Sequence, residues 1–190
     1  MSETDAPPRR EQILAAAGAL FVAHGVRQVT TRQIAAAVGI SQPSLYAFFP
    51  SRDAIAVAIC CRAFGELRQR LDAASSGAAG AARFDRLARA YVRFGLDHPT
   101  AYRVAFMADL PDHSRAERGD VLAAGLDAYA VLHAAVAQTH GAAADIAAQS
   151  AWAALHGLVA LLLARPDFPW AEREALIDHH VALTGRMLYG

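Results

Sequence analysis

The sequence predicts an all-α fold of about nine helices, and three observations carry that expectation. Apolar residues recur at the three- and four-residue spacing of helical faces, and no strand-like alternation shows along the chain. Alanine makes up about a quarter of the 190 residues, all 18 basic residues are arginine, and β-branched residues are sparse, a composition that favours helix over sheet. Glycine, proline and capping residues cut the chain into helical lengths. With 55% apolar and 19% charged residues the chain can bury a real core, which excludes wholesale disorder, and its length suits one or two modest domains.

The elements follow in order. Residues 1–8 are acidic and polar, end in Pro7-Pro8, and are expected to form a disordered tail. From Arg9 to His24, the residues Ile13, Leu14, Ala17, Leu20, Phe21 and His24 fall at helical spacing, and Gly25 stands where a left-handed cap would sit. Thr30 and Gln33 form a capping-box pair that opens a helix through Ile34, Ala35 and Val38, stopped by Gly39. Ser41 caps a short helix whose first turn tolerates Pro43, running through Leu45 and Phe48 to Pro50. Ser51 caps a longer helix beginning Arg52-Asp53-Ala54 and reaching Leu71, with Asp53 suited to the positive end of the helix dipole. Asp72 to Ala82 is Ala/Ser/Gly and predicts a loop. Helical stretches then cover Phe84–His98, a short piece from Pro99 to Ala108, Arg115–Thr139 and Ala143–Ala164. The segment Arg165-Pro166-Asp167-Phe168-Pro169 breaks the chain before a last helix from Trp170 to about Leu188.

Several function classes fall away. The start has no basic segment leading into an apolar one, so it does not read as a secretory signal. The longest apolar run, Ala151 to Ala164, is interrupted by His156 and falls short of the ~20 residues that span a bilayer. A buried helix and no membrane partner are expected. Cys60 and Cys61 are adjacent, which leaves no disulfide framework and fits a cytoplasmic location. Two buried thiols are expected there, with a thiol sensor as the alternative. No metal or cofactor is expected: Asp178, His179 and His180 are sequence neighbours, which point ~100° apart on a helix and cannot all face one ion. His133 and His140 are too distant for a shared ion without help. There is no HExxH, no Gly-rich phosphate loop after a strand and no Gly-x-Ser-x-Gly elbow, so no enzyme is expected.

The stretch from Thr30 to Phe49 is two short helices joined at Gly39-Ile40-Ser41, a helix-turn-helix arrangement whose second helix can enter a DNA major groove. Zero net charge taken alone argues against nucleic acid, yet the charges are unevenly placed. Between Arg9 and Arg52 stand Arg9, Arg10, Arg27, Arg32 and Arg52 against Glu11 alone, about +4, while residues 53–190 hold 13 Arg and 15 acids, about −2. A basic patch therefore coincides with the hairpin.

The run Thr30-Thr31-Arg32-Gln33-Ile34-Ala35, then Val38-Gly39-Ile40-Ser41, Ser44-Leu45-Tyr46 and Phe49-Pro50-Ser51-Arg52, resembles the TetR family of transcriptional regulators. The matching region covers roughly Arg9 to Ala63, a third of the chain. The resemblance implies a homodimer in which a helix-turn-helix domain, residues 9–55, binds double-stranded DNA at a near-palindromic operator. A larger helical domain, residues 56–190, would bind a small-molecule effector and dimerise, most simply as a repressor. By chemistry and by resemblance together, Gln42, Ser44 and Tyr46 are the candidate base and phosphate contacts, while Thr31 and Arg32 open the preceding helix where a phosphate is favoured. Arg52 stands where the family usually has Lys and is expected to clamp a phosphate; Ala47 departs from the bulky or polar residue common there. Leu20, Ile34, Leu45 and Phe49 are core by spacing.

The C-terminal part is rich in alanine but studded with aromatics, which leaves room for an apolar or amphipathic effector between helices. The segment Trp152 to Val159 resembles the Trp…His-Gly signature of one C-terminal subclass of the family. Tyr91, Phe94, Phe106, Tyr129, Trp152 and His156 are the candidate ligand contacts. Leu155, Leu158, Leu162, Leu176, Leu183 and Met187 are the candidate seam of a four-helix dimer interface. The competing possibility is a helical small-molecule-binding protein or enzyme whose N-terminal hairpin is merely structural.

Overall fold

Start and stop residues set the boundaries of nine α-helical segments among the described residues, one of them a single turn. The computed structural model describes residues 7–108 and 115–190, and within the latter the side chains from 119 onward. Most of the expected tail lies outside the described residues. Pro7 and Pro8, its last two, are held instead on the first turn of α1 (Arg9–His24). Pro8 O accepts from Glu11 N at 2.8 Å, and Gln12 Nε2 donates to Pro7 O at 2.7 Å.

The hairpin is built by local signals. After α1 ends at Gly25, with φ +82°, a 3₁₀ turn Val26–Gln28 leads into α2 (Thr31–Val38). The capping box is reciprocal: Gln33 N donates to Thr30 Oγ1 at 3.2 Å and Thr30 N to Gln33 Oε1 at 2.8 Å. Gly39 ends α2 in the left-handed region, φ +70° and ψ 35°, where a side chain would be strained. Ser41 then caps α3 (Gln42–Tyr46), accepting from Ser44 N at 3.2 Å. α3 stops at Tyr46, short of the expected Pro50, where Phe48 N turns back to Leu45 O at 2.9 Å in a bond one residue tighter than the helical one. α4 (Arg52–Ser75) starts where Ser51 Oγ accepts from Ala54 N at 2.9 Å.

The loop expected over Asp72–Ala82 is much shorter. α4 runs through Ser75 and α5 (Gly80–Asp97) starts five residues later, because alanines extend both helices. Arg83 Nε also ties back to Ser75 Oγ at 2.7 Å. A single turn α6 (Pro99–Tyr102) leads to a π-helical turn Arg103–Met107, and α7 (Arg115–His140) and α8 (Ala144–Ala164) follow. α9 (Arg173–Tyr189) begins three residues later than expected, because Glu172 caps it by accepting from Glu174 N at 2.9 Å and Ala175 N at 2.7 Å. Trp170 belongs to the preceding turn, donating its indole N–H to Arg165 O at 2.8 Å.

The helices sort into two compact units. The first gathers the described residues of Met1–Ala63 with Thr100–Leu122, the second Phe64–Pro99 with Ala123–Gly190. In the first, Ile13, Phe21, Ile34, Leu45 and Phe49 are buried around the hairpin, while Leu20 is only half-buried. α1 passes close to the start of α6: a Cβ on Gly18 would lie 3.0 Å from Thr100 Cγ2. In the second, α5 packs on α8 and α9 over Phe84, Leu87, Leu155 and Ile177, all fully buried. Arg89 pairs with Asp85 at 2.9 Å and with Asp178, and Arg93 with Glu174; these pairs are exposed and worth little each. The stretch Gly119–Ala164 holds a window apolar enough to cross a membrane by composition alone. In α8 that apolarity serves an inward face of Ala148, Ala151, Leu155, Leu158, Val159 and Leu162.

The two cysteines bear on the sensor alternative. Cys60 is buried against Val104 O at 3.9 Å, and burial, then the neighbouring Cys61, pushes its thiol up to about 12. Cys61 is raised too, by burial first and then by Asp120. The thiolate is the reactive form, so both groups are thiols near neutrality and poor targets for oxidation. Peroxide at neutral pH is therefore expected to leave DNA affinity unchanged. A loss of affinity that the Cys60→Ser/Cys61→Ser variant escapes would contradict this.

Candidate functional site

Three of the residues expected at the DNA surface are bonded to one another across the turn. Gln42 Nε2 donates to Thr31 Oγ1 at 2.9 Å and to Tyr46 OH at 3.2 Å, and the two hydroxyls lie 3.3 Å apart. Thr31 opens α2, whereas Gln42 and Tyr46 are one turn apart on α3, so the network fixes the angle at which the second helix is presented. Hydrogen bonding to Thr31, and then to Gln42, holds the Tyr46 phenol below its ordinary value. Tyr46 and Phe48 remain 47% and 43% exposed, two aromatic side chains at the outer end of α3. Arg32 and Ser44 are also exposed, and Ser44 Oγ shares a hydrogen bond with Ser41 Oγ at 2.7 Å.

Arg52 does something the sequence did not disclose. Its Nε donates to Asp53 Oδ1 at 2.8 Å, and one Nη donates to the carbonyls of Arg27 at 2.9 Å and Val29 at 3.4 Å. It thereby ties the start of α4 to the turn that feeds α2, so its first role is to position the hairpin. Arg9 and Arg10 are likewise drawn onto the same unit. Arg9 donates to Val38 O at 3.5 Å, and the Arg10 guanidinium lies 4.8 Å from the centre of the Phe49 ring. Only their basic character was visible in the sequence.

The candidate ligand contacts divide. Trp152 Nε1 donates to Tyr91 OH at 3.1 Å, and the Tyr129 ring lies 5.8 Å from Trp152 and 5.9 Å from His133, whose Nε2 meets Asp145 Oδ1 at 2.8 Å. Tyr91, Tyr129 and Trp152 thus form one aromatic cluster on α5, α7 and α8. Within it the Tyr129 hydroxyl is buried and has no hydrogen-bond partner among the described residues, and burial, then Asp145, raises its pKa. His156, one turn beyond Trp152, is half-buried, and burial lowers its pKa, which keeps the ring neutral near pH 7. Phe94 is fully buried in the core beside His98, with ring centroids 5.3 Å apart. Phe106 belongs to the first unit, stacked on Tyr102 at 4.5 Å.

The candidate seam residues divide as well. Leu155, Leu158 and Leu162 are buried within their own unit and Leu176 is half-buried, whereas Leu183 and Met187 are 43% and 69% exposed. Leu161, outside that candidate set, is 53% exposed on α8. Among the described residues no group of three His, Cys, Asp or Glu side chains could hold a metal ion.

Residues 13–59 match the family described as bacterial regulatory proteins, tetR family, and residues 84–184 match the tetracyclin repressor-like C-terminal domain. A search of curated protein sequences returned no match. Solved structures share the fold over nearly the whole chain. A bacterial regulatory protein of the tetR family from Rhodococcus RHA1 is 21% identical with a TM-score of 0.79, covering 99% of this chain and 98% of that one. The TetR family transcriptional regulator PfmR from Thermus thermophilus is 21% identical with a TM-score of 0.78, covering 92% of this chain and 97% of its own. The MbdR regulator from Azoarcus sp. CIB is 21% identical with a TM-score of 0.78, covering 93% and 97%. The C-terminal match alone spans more than half of the 190 residues, and the capped α2–α3 hairpin lies inside the N-terminal match. The chain belongs to the TetR family of DNA-binding bacterial transcriptional regulators.

Proposed function

We propose that the protein is a homodimeric repressor, released from a near-palindromic operator by a small apolar or amphipathic effector. The observation that carries this best is the exposed hairpin whose reading residues Thr31, Gln42 and Tyr46 are already locked together. A hairpin with a merely structural task has no need of a polar network on its outer surface. Each subunit would place Gln42–Phe48 in a major groove, with half-sites one helical turn apart, ~34–36 Å. Exposed Leu161, Leu183 and Met187 on α8 and α9 support a four-helix seam between subunits. α4 contributes residues to both units, which makes it the candidate element for transmitting effector binding to the hairpin. A nearly complete switch requires the effector to prefer the released state by about 5 kcal/mol.

The aromatic cluster supports one statement about the effector. A buried hydroxyl without a partner costs about 1–3 kcal/mol, and a ligand that carries a hydrogen-bond acceptor on an apolar body recovers it at Tyr129. Tyr129→Phe is therefore expected to keep or slightly raise thermal stability. The concentration of such a ligand needed for release should rise about tenfold, one hydrogen bond's worth. A variant that is markedly less stable, yet responds to ligand as the parent does, would contradict this.

The function itself is tested by incubating the purified protein with duplexes tiled across the DNA flanking its coding region. Specific retardation, reversed by ligands found in a thermal-shift screen, is the expected result. Catalytic turnover of such a ligand without any DNA retardation would favour the enzyme alternative.

A further inference from the structure

The side-chain amide of Gln42 is already committed, and its orientation follows from counting protons. With Nε2 turned inward, its two N–H groups serve the Thr31 and Tyr46 hydroxyls at 2.9 and 3.2 Å, and one hydroxyl donates to the other across 3.3 Å. With Oε1 turned inward, both hydroxyls would have to donate to it. Their mutual contact would then set lone pair against lone pair, and one hydrogen bond would be lost. The inward Nε2 is the arrangement that makes more hydrogen bonds within the trio, three against two. It leaves Oε1 as the group not engaged by any residue described.

We propose that Gln42 reads its base pair as an acceptor only, selecting an amino base, adenine or cytosine, over a keto base, guanine or thymine. In the major groove adenine N6 and cytosine N4 present N–H donors, whereas guanine O6 and thymine O4 present acceptors that a carbonyl oxygen repels. A free glutamine behaves differently. It pairs bidentately with adenine N6 and N7, which requires the Nε2 donors that Thr31 and Tyr46 occupy here. Thr31 and Tyr46 are thus positioning residues for this contact: they convert an adenine reader into an amino-base reader. The inference rests on the DNA-binding function of the hairpin and specifies what one of its residues recognises.

The test selects bound sequences from a randomised duplex library, long enough for two half-sites, using the full-length protein. Affinities for all four bases at each position are then measured by fluorescence anisotropy. In one symmetric position per half-site, adenine and cytosine should bind within about threefold of one another and about tenfold better than guanine or thymine. Gln42→Ala should level all four bases at that position alone. Thr31→Val/Tyr46→Phe frees Nε2 and should sharpen the preference to adenine, about tenfold over cytosine. Tyr46→Phe alone, a change at an exposed side chain that leaves Thr31 in place, should move in the same direction by less. The inference is overturned if the parent already prefers adenine over cytosine tenfold, if it prefers a keto base there, or if Gln42→Ala changes no position. If no sequence is enriched at all, the DNA-binding function fails and this inference falls with it, a result distinct from enrichment with the wrong base.

Discussion

Leu45→Ala is expected to abolish DNA binding by unfolding the hairpin rather than by removing a contact. Leu45 is completely buried at the centre of α3, and its carbonyl accepts from Phe48 N and Phe49 N as the chain leaves that helix. Leucine-to-alanine changes at such sites cost about 2–5 kcal/mol, from transfer and cavity terms together. A domain's whole stability is on the order of 5–15 kcal/mol, so a five-residue helix anchored by this one side chain has little to fall back on. Urea unfolding followed by circular dichroism should show a lowered first transition, while the second unit, with its own core, keeps its helical signal. An unchanged midpoint with intact operator binding would show that Leu45 does not anchor the hairpin.

The second large effect is expected on α9. Leu183 and Met187 stand one turn apart and are both exposed in the single chain, so Leu183→Glu/Met187→Glu should cost the subunit little stability. In a seam, those charges would be buried without partners and the dimer should dissociate. Binding one half-site at a time forfeits the effective concentration that joins the two, and operator affinity should fall more than about a hundredfold. Analytical ultracentrifugation should report a folded monomer. Leu155→Ala should behave in the opposite way: Leu155 is fully buried within its own unit, so stability falls by about 2–5 kcal/mol at any protein concentration. A dimer that survives both glutamates would move the interface elsewhere.

How much of this was legible in the sequence depends on how local the cause is. The capping box of Thr30 and Gln33, the left-handed Gly39 and the Ser41 cap are signals within four residues, and the hairpin follows them closely. The Ala/Ser/Gly stretch after Leu71 misled, because alanine is read as small and loop-like beside glycine although it is the strongest helix former. The site was legible as residue types and not as bonds. Nothing in the spacing of Thr31, Gln42 and Tyr46 shows that the amide of one is saturated by the hydroxyls of the others. The partners of Arg52, the carbonyls of Arg27 and Val29, are backbone atoms that no side-chain pattern can announce. On α8 both helical faces carry apolar residues. Periodicity could group Leu155, Leu158 and Leu162 but not tell that they face the core while Leu161 faces out.

The most direct test of the account is the salt dependence of binding to the selected operator, measured by fluorescence anisotropy for the parent and for Arg32→Ala. The parent should bind one dimer per duplex, with log K falling linearly against log salt at a slope of about −0.9 per phosphate neutralised. Arg32→Ala should reduce that slope by about one contact per subunit and weaken all sequences alike. Binding that is weak, indifferent to salt and no better for the selected operator than for a scrambled duplex would contradict the claim that this hairpin reads DNA.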